Sequence, residues 1–95
     1  MIVSFKDKQT ARFAAGKPVK ALSGFVRQAE LRLDRLETAT RLADLAALNG
    51  NRLEALAGDR AGQFSIRVND QWRICFTWPE GSPGPAEVEI CDYHK

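Results

Sequence analysis

The sequence predicts an α+β fold in which two to three N-terminal helices pack on one face of a small antiparallel sheet. Up to about residue 48, apolar side chains recur with helical spacing, whereas from residue 64 onward apolar and polar residues alternate as they do in strands. Helices first and strands second is the order typical of a two-layer α+β arrangement. A chain of 95 residues has room for one core, so we expect a single domain over 1–95.

The helical half begins with a predicted edge strand over 2–5 and a helix over 6–15. A second helix is predicted over 21–38, because its apolar side chains form one continuous stripe. These residues are Leu22, Phe25, Val26, Ala29, Leu33 and Leu36. A third helix, capped by Thr40, is expected to run through Leu48.

A β-hairpin is predicted from the sequence QFSIRVNDQWRICF, and its register follows from the alternation. A two-residue loop would pair Val68 with Arg73 and would mix apolar and charged side chains on one face. A three-residue loop pairs Val68 with Trp72, with its asparagine or aspartate in the left-handed backbone conformation. This register places Arg67 directly opposite Arg73. Residues 51–56 can add a strand before a turn at Gly58-Asp59, and Val88 and Ile90 continue the sheet.

Two arginines facing each other across a hairpin need an explanation, because like charges so placed destabilise a sheet by about 0.2–1 kcal/mol. One interpretation is structural: a carboxylate from a neighbouring element, such as Glu87 or Glu89, neutralises one of them. The other is functional: a guanidinium pair can hold a phosphate through directed hydrogen bonds. The residue pattern leaves both open.

The composition narrows the classes of protein to consider. Residues 1–48 contain nine Lys/Arg against five Asp/Glu, and the remainder contains five against seven, so the basic residues lie in the helical half. A basic helical surface suits a nucleic acid or an acidic protein. Cys75 and Cys91 match no zinc pattern and are expected to be reduced thiols on strands, with a disulfide as the alternative. No apolar run reaches the roughly 18 residues of a membrane span, so we expect no membrane partner and a cytoplasmic location.

Three stretches together resemble the HigB toxins of bacterial toxin–antitoxin systems, a branch of the RelE/ParE superfamily. They are MIVSFKDKQTARF, NRLEALAGDRAGQFSIRVNDQWRICF and the closing VEICDYHK. The resemblance implies a RelE-like domain that cuts mRNA on the ribosome, inhibits translation and growth, and is neutralised by HigA, a helix-turn-helix antitoxin. The implied partners are HigA and the ribosome with bound mRNA, and operator DNA is reached only through the antitoxin complex.

RNA cleavage without a metal or other cofactor needs a base for the 2′-hydroxyl, an acid for the leaving oxygen, and cations for the phosphoryl charge. The resemblance assigns phosphate contact first to Arg73, in the W-R-I stretch. Asp92 and Tyr93 match the Asp-Tyr pair that closes the HigB toxins, and His94, the only histidine, is a natural base near neutral pH. The further candidates for RNA binding are Arg67, Arg60 and Arg52. For each arginine the structural alternative is an ordinary scaffold residue, and for the terminus it is a solvated tail.

The chain departs from the family at two positions. Some HigB toxins carry a histidine where this chain has Glu54 and a lysine where it has Ala57. Glu54 can still accept a proton, whereas Ala57 can neither donate one nor hold a phosphate, although Arg52 is a neighbouring cation that can substitute. Two alternatives therefore stand beside the nuclease: a weakly catalytic toxin that acts by binding ribosomal particles, and a ParE-like gyrase poison with the same fold.

Overall fold

The computed structural model describes residues 1–92 and shows helices followed by strands, which confirms the predicted α+β class. The helices are α1 (Lys8–Ala14), α2 (Val26–Thr38) and α3 (Leu42–Ala46), and the strands are β1 (Glu54–Ala55), β2 (Phe64–Arg67), β3 (Trp72–Thr77) and β4 (Ala86–Asp92). Short 3-10 turns lie at Lys20–Leu22, Asn49–Asn51 and Gly58–Arg60. Within residues 1–92 the sheet has four strands in the order β1-β2-β3-β4, and all neighbours are antiparallel.

The core lies between the helices and one face of the sheet. Ile66, Ile74 and Val88, which share this face because alternate residues of a strand point the same way, are completely buried. They pack in one cluster with Leu22 and Leu36 from the helical layer. Burying such a side chain stabilises the fold by about 1.5–3 kcal/mol. The opposite face of the sheet carries the polar residues.

The N-terminal segment runs beside β4. Phe5 forms a parallel bridge with Val88, and the Val3 N–H donates to the Pro85 carbonyl at 2.8 Å. The Lys6 N–H donates to the Val88 carbonyl at 2.9 Å. The predicted edge strand at 2–5 is thus present as a single bridge with flanking hydrogen bonds rather than as a regular strand.

The second helix begins later than predicted. It starts at Val26 rather than near Ala21, and Leu22 lies in the separate turn Lys20–Leu22. Ser23, Gly24 and Phe25 separate the two pieces, and glycine weakens a helix by about 1 kcal/mol relative to alanine. Leu22 is nevertheless completely buried in the core, although it precedes the helix.

The ends of α1 and α3 are set by carboxylates. The Asp7 side chain accepts from the Thr10 N–H at 3.0 Å, so α1 starts after Asp7. The prediction that Thr40 caps α3 was wrong: Arg41 occupies that position, and Thr40 instead donates its N–H and hydroxyl to Asp44 at 2.9 and 3.1 Å. The helix ends at Ala46, short of Leu48. Over the residues described, no helix is both long enough and apolar enough to cross a membrane.

Candidate active site

The hairpin has the predicted register. Arg67 pairs with Arg73, flanked by the apolar pairs Phe64–Phe76 and Ile66–Ile74. The expected left-handed conformation is absent from 69–71, so that part of the prediction was wrong. Instead, the Asn69 side-chain oxygen accepts from the N–H groups that follow it, at 2.9 Å from Gln71 and 2.8 Å from Trp72. This is the turn that an asparagine makes by mimicking a backbone carbonyl.

The face of the sheet away from the helices carries two rows of polar side chains. The strand registers give one row of Glu54, Ser65, Cys75 and Glu89, and a second row of Arg67, Arg73 and Cys91. We call these two rows the polar face. It brings guanidinium groups and carboxylates together on a rigid sheet, which is the arrangement that phosphate chemistry needs.

Arg73 is fixed by oxygen atoms from two other segments. Its Nε donates to the Ser65 hydroxyl at 2.7 Å, and its Nη2 donates to the Arg52 carbonyl at 2.9 Å. The same Nη2 lies 3.5 Å from a carboxylate oxygen of Glu54, and the Arg73 side chain is only 15% exposed. Within residues 1–92 its Nη1 has no hydrogen-bond partner, so two N–H donors remain for a ligand.

Arg67 shares the row with Arg73 but has a different counter-ion. Its guanidinium pairs with Asp70 in the hairpin turn. The carboxylates that neutralise the two facing arginines are therefore Asp70 and Glu54, and neither Glu87 nor Glu89, the acids named as examples, does so. The repulsion between the two cations is relieved inside the described structure.

Arg60 fastens the turn Gly58–Arg60 to β4. One Nη1 atom donates to the Gln63 side chain at 3.0 Å and to Glu89 at 3.3 Å. Lys6 approaches the same Glu89 oxygen at 3.9 Å. These contacts are those of a scaffold residue, the structural alternative named for each arginine. Its role in RNA binding stays a prediction.

The other predicted site residues are not gathered around Arg73 to the same extent. Arg52 is exposed, has a left-handed backbone (φ 46°), and gives Arg73 its carbonyl rather than its side chain. Asp92 pairs with Trp72 in the register, so it lies on the phase opposite to Arg73, and it accepts from the Gln71 amide at 2.9 Å. Tyr93 and His94 lie outside the described residues.

The cysteines are free thiols on β3 and β4, as predicted. Their sulfur atoms are 3.3 Å apart. The hydrogen bond from Cys91 lowers the pKa of Cys75 despite the opposing effect of burial, and the same contact raises the pKa of Cys91. Residues 1–92 contain no cluster of three or more His, Cys, Asp or Glu side chains placed to hold a metal ion.

The roles of two residues of the site were not predicted from the sequence. Ser65 is completely buried and orients Arg73, and Glu89 holds Arg60. The alternation placed Ser65 on the polar side of its strand. Glu89 lies in the same row as Ser65 through the register between β3 and β4. That register could not be predicted from the sequence, because a long loop separates the two strands.

Comparison with known proteins identifies the family. Residues 3–94 match the sequence model of a family described as "RelE-like toxin of type II toxin-antitoxin system HigB". Toxin HigB-1 of Vibrio cholerae serotype O1 is 37% identical over 83 residues, which cover 85% of this chain and 87% of that protein. Endoribonuclease HigB of Proteus vulgaris is 35% identical over 95 residues, covering 99% of this chain and all of the relative.

A solved structure agrees on the fold. A YoeB/ParE toxin from Agrobacterium tumefaciens superposes with a TM-score of 0.62 at 23% identity, over 99% of this chain and 98% of the other. At that identity the likeness concerns the fold alone. The family match covers nearly the whole sequence and does not depend on this structural comparison. The chain belongs to the HigB-like family, the RelE-like toxins of type II toxin–antitoxin systems.

Proposed function

We propose that this toxin is a metal-independent endoribonuclease that cuts mRNA on the ribosome and so inhibits translation and growth. The observation that carries the proposal is the state of Arg73: it is preorganised by Ser65 and Arg52, keeps two N–H donors that have no partner within residues 1–92, and lies beside the Glu54 carboxylate. A fixed cation next to a proton acceptor fits phosphoryl chemistry. The name of the Proteus vulgaris relative, an endoribonuclease, supports the same activity.

In the proposed reaction the RNA supplies its own nucleophile. The 2′-hydroxyl oxygen attacks the adjacent phosphorus, the bond to the 5′ oxygen breaks, and a cyclic phosphate and a 5′-hydroxyl are formed. Glu54, whose side chain is 61% exposed, takes the 2′ proton, and Tyr93 or His94 returns a proton to the leaving oxygen. Arg73 stabilises the charge that develops on the phosphoryl oxygens. Asp92, which accepts from the Gln71 amide, ties the end of β4 to the hairpin turn.

The ribosome has a defined part in this proposal. In this proposal the ribosome, rather than the toxin, aligns the RNA strand for in-line attack. A messenger held in the ribosome is already positioned, and orientation of this kind supplies several kcal/mol of the barrier, up to about 7–11 in the best cases. The partners we propose are therefore the ribosome with bound mRNA and a HigA-type antitoxin, with operator DNA reached only through the antitoxin and with the cytoplasm as the location.

The test uses a defined mRNA on purified translating ribosomes, with cleavage sites mapped by primer extension. We expect new 5′-hydroxyl ends within the ribosome-occupied region, and no cleavage of the same RNA when ribosomes are omitted. Equal cleavage without ribosomes would remove the ribosome from the mechanism. Intact mRNA together with inhibition of DNA gyrase supercoiling would show a ParE-like toxin instead.

A weakly catalytic toxin that acts by binding ribosomal particles is the second candidate. It is favoured by Ala57, which is exposed and provides no proton donor or cation. It is also favoured by the ion pair between Glu54 and Arg73, which engages the Nη2 atom of the arginine. Growth arrest accompanied by intact mRNA and by co-sedimentation with ribosomal subunits would support this candidate over the nuclease.

A further inference from the structure

Two arginines of α2, Arg32 and Arg35, have side chains fixed by hydrogen bonds but no carboxylate partner within residues 1–92. Arg32 Nε donates to the Arg67 carbonyl at 2.9 Å, and Arg35 Nη1 donates to the Asn51 side-chain oxygen at 2.9 Å. Both acceptors are neutral. No carboxylate among residues 1–92 forms an ion pair with either arginine, in contrast to Arg67 and Arg73.

Gly50 lies beside both guanidinium groups. A Cβ built on Gly50 would stand 3.5 Å from Arg35 Nη1 and 4.0 Å from Arg32 Nη2. The backbone of Gly50 is not in the left-handed region, so its conformation does not require glycine. A side chain at this exposed position would stand against both guanidinium groups, and glycine avoids that contact.

The electrostatics of the pair favour an anion. Partial burial and the nearby charges of Arg35 and Arg67 lower the pKa of Arg32. Arginine nevertheless stays protonated in proteins, so the repulsion persists in the folded state. An anion between the two groups would relieve it, and a phosphate oxygen can accept from both.

We propose that Arg32 and Arg35, with no side chain at Gly50 to cover them, form a second phosphate-binding subsite, which holds another phosphodiester of the same RNA strand that Arg73 contacts. The ligand class rests on the proposed function, because RNA is the substrate there. Asn51 fixes Arg35 and the next carbonyl, that of Arg52, fixes Arg73. The two subsites are therefore joined by consecutive residues, which is why one strand with a phosphate at every nucleotide suits them better than an isolated anion.

The test measures binding without cleavage. A 2′-O-methyl single-stranded RNA cannot be cut through its own 2′ oxygen, so its affinity, read by fluorescence anisotropy over a salt series, is independent of catalysis. Each phosphate contact with a single strand contributes about −0.7 to the slope of log K against log salt. We expect Arg35→Gln to make the slope shallower by about that amount. Arg27→Gln, an exposed arginine on the same helix with the same charge change, should leave the slope unaltered.

A second pair of variants tests the position of Gly50 beside the two arginines rather than Arg35 itself. Gly50→Asp places a carboxylate beside both guanidinium groups and should weaken RNA binding as strongly as Arg35→Gln. Asn49→Asp, exposed and adjacent, is its control with the same change in charge. Unfolding midpoints confirm that all four variants are folded.

Three results would overturn the subsite: equal slopes for Arg35→Gln and Arg27→Gln, absence of RNA binding by the parent protein, or displacement of the RNA by poly-glutamate at matched ionic strength. The last would identify the surface as a dock for acidic protein. None of them bears on cleavage of ribosome-bound mRNA, which tests the proposed function separately.

Discussion

Ser65 illustrates how one small buried residue prepares a functional side chain. Its hydroxyl is completely buried on the polar face and accepts the Nε–H of Arg73. Removing one partner of a buried hydrogen bond costs about 1–3 kcal/mol, because the other is left unsatisfied. Substitutions of Arg73 therefore affect stability as well as function, and their interpretation requires a measurement of folding.

Glu54→Gln tests the proposed proton acceptor. Glutamine keeps the shape of the side chain but cannot take the 2′ proton, so cleavage on ribosomes should fall by about 10²–10⁴-fold. RNA binding should be unchanged or tighter, since a carboxylate next to Arg73 is removed. Rates and affinities measured on the same preparation separate the two effects. Glu80→Gln, at an exposed loop carboxylate, is the control, and cleavage at the parent rate by Glu54→Gln would exclude Glu54 as the base.

The pairing of Arg67 with Arg73 was predictable because alternation fixes the phase of both strands. The partners of Arg73 were not. One of them comes from the segment that includes Arg52, whose left-handed backbone turns its carbonyl toward the sheet, and no periodicity in the sequence records such a turn. Contacts made by irregular segments depend on the tertiary path and are the part of the site that sequence patterns leave undetermined.

At the scale of elements, the start of α3 should be sensitive to acid. The backbone N–H and then the hydroxyl of Thr40 donate to Asp44 and lower its pKa. The folded state thus favours the carboxylate. The contact therefore stabilises the protein above the unfolded pKa of about 3.9, and this stabilisation is lost as the pH falls through the lower folded value.

Asp44→Asn measures this contribution. Its unfolding midpoint in urea should lie below that of the parent at about pH 6, and the gap should narrow as the pH falls below about 3.9 and Asp44 becomes protonated in the folded state. Asp59→Asn, the same change at an exposed carboxylate of another turn, is the control. A gap that stays constant over this range would show that the carboxylate does not stabilise α3 by its charge.

Gly84→Ala tests the attachment of the N-terminal segment to β4. A Cβ at this buried position would lie 1.7 Å from the backbone oxygen of Met1, so the segment must move or the protein must be strained. We expect a loss of about 1–3 kcal/mol in the free energy of unfolding. Gly24→Ala is the matched control, because its Cβ meets nothing within 4 Å and its backbone is not left-handed. Equal stability of the two variants would mean that the segment is not held against Gly84.

The helices show which element boundaries sequence patterns can give. The apolar stripe from Val26 to Leu36 predicted α2 correctly over most of its length. It failed at the N-terminal end, because Leu22, which is buried, and Phe25, which is half-buried, belong to the stripe but precede the helix. Burial alone does not distinguish a helical residue from one in a preceding turn.

At the scale of the whole molecule, the charge distribution gains a structural meaning. The excess of basic residues in 1–48 was predicted to suit an anionic partner, and this half contains Arg32 and Arg35, the guanidinium pair for which we find no internal counter-ion in residues 1–92. The more acidic remainder supplies Glu54 and Asp70, which neutralise Arg73 and Arg67. The proposed RNA-binding surface therefore includes the two arginines of α2 as well as the polar face.

The fold does not determine which molecule the toxin acts on, so the target depends on the residues of the functional site. A YoeB/ParE toxin has the same architecture at 23% identity, so architecture alone does not decide between RNA and another target.

The central claim is that the polar face around Arg73 cuts mRNA. The most direct measurement is the rate at which Arg73→Ala cleaves a defined mRNA on translating ribosomes, beside Arg27→Ala and with folding checked by circular dichroism. We predict a loss of at least about 100-fold for the folded Arg73→Ala protein and none for Arg27→Ala. Cleavage at the parent rate by folded Arg73→Ala would contradict the claim.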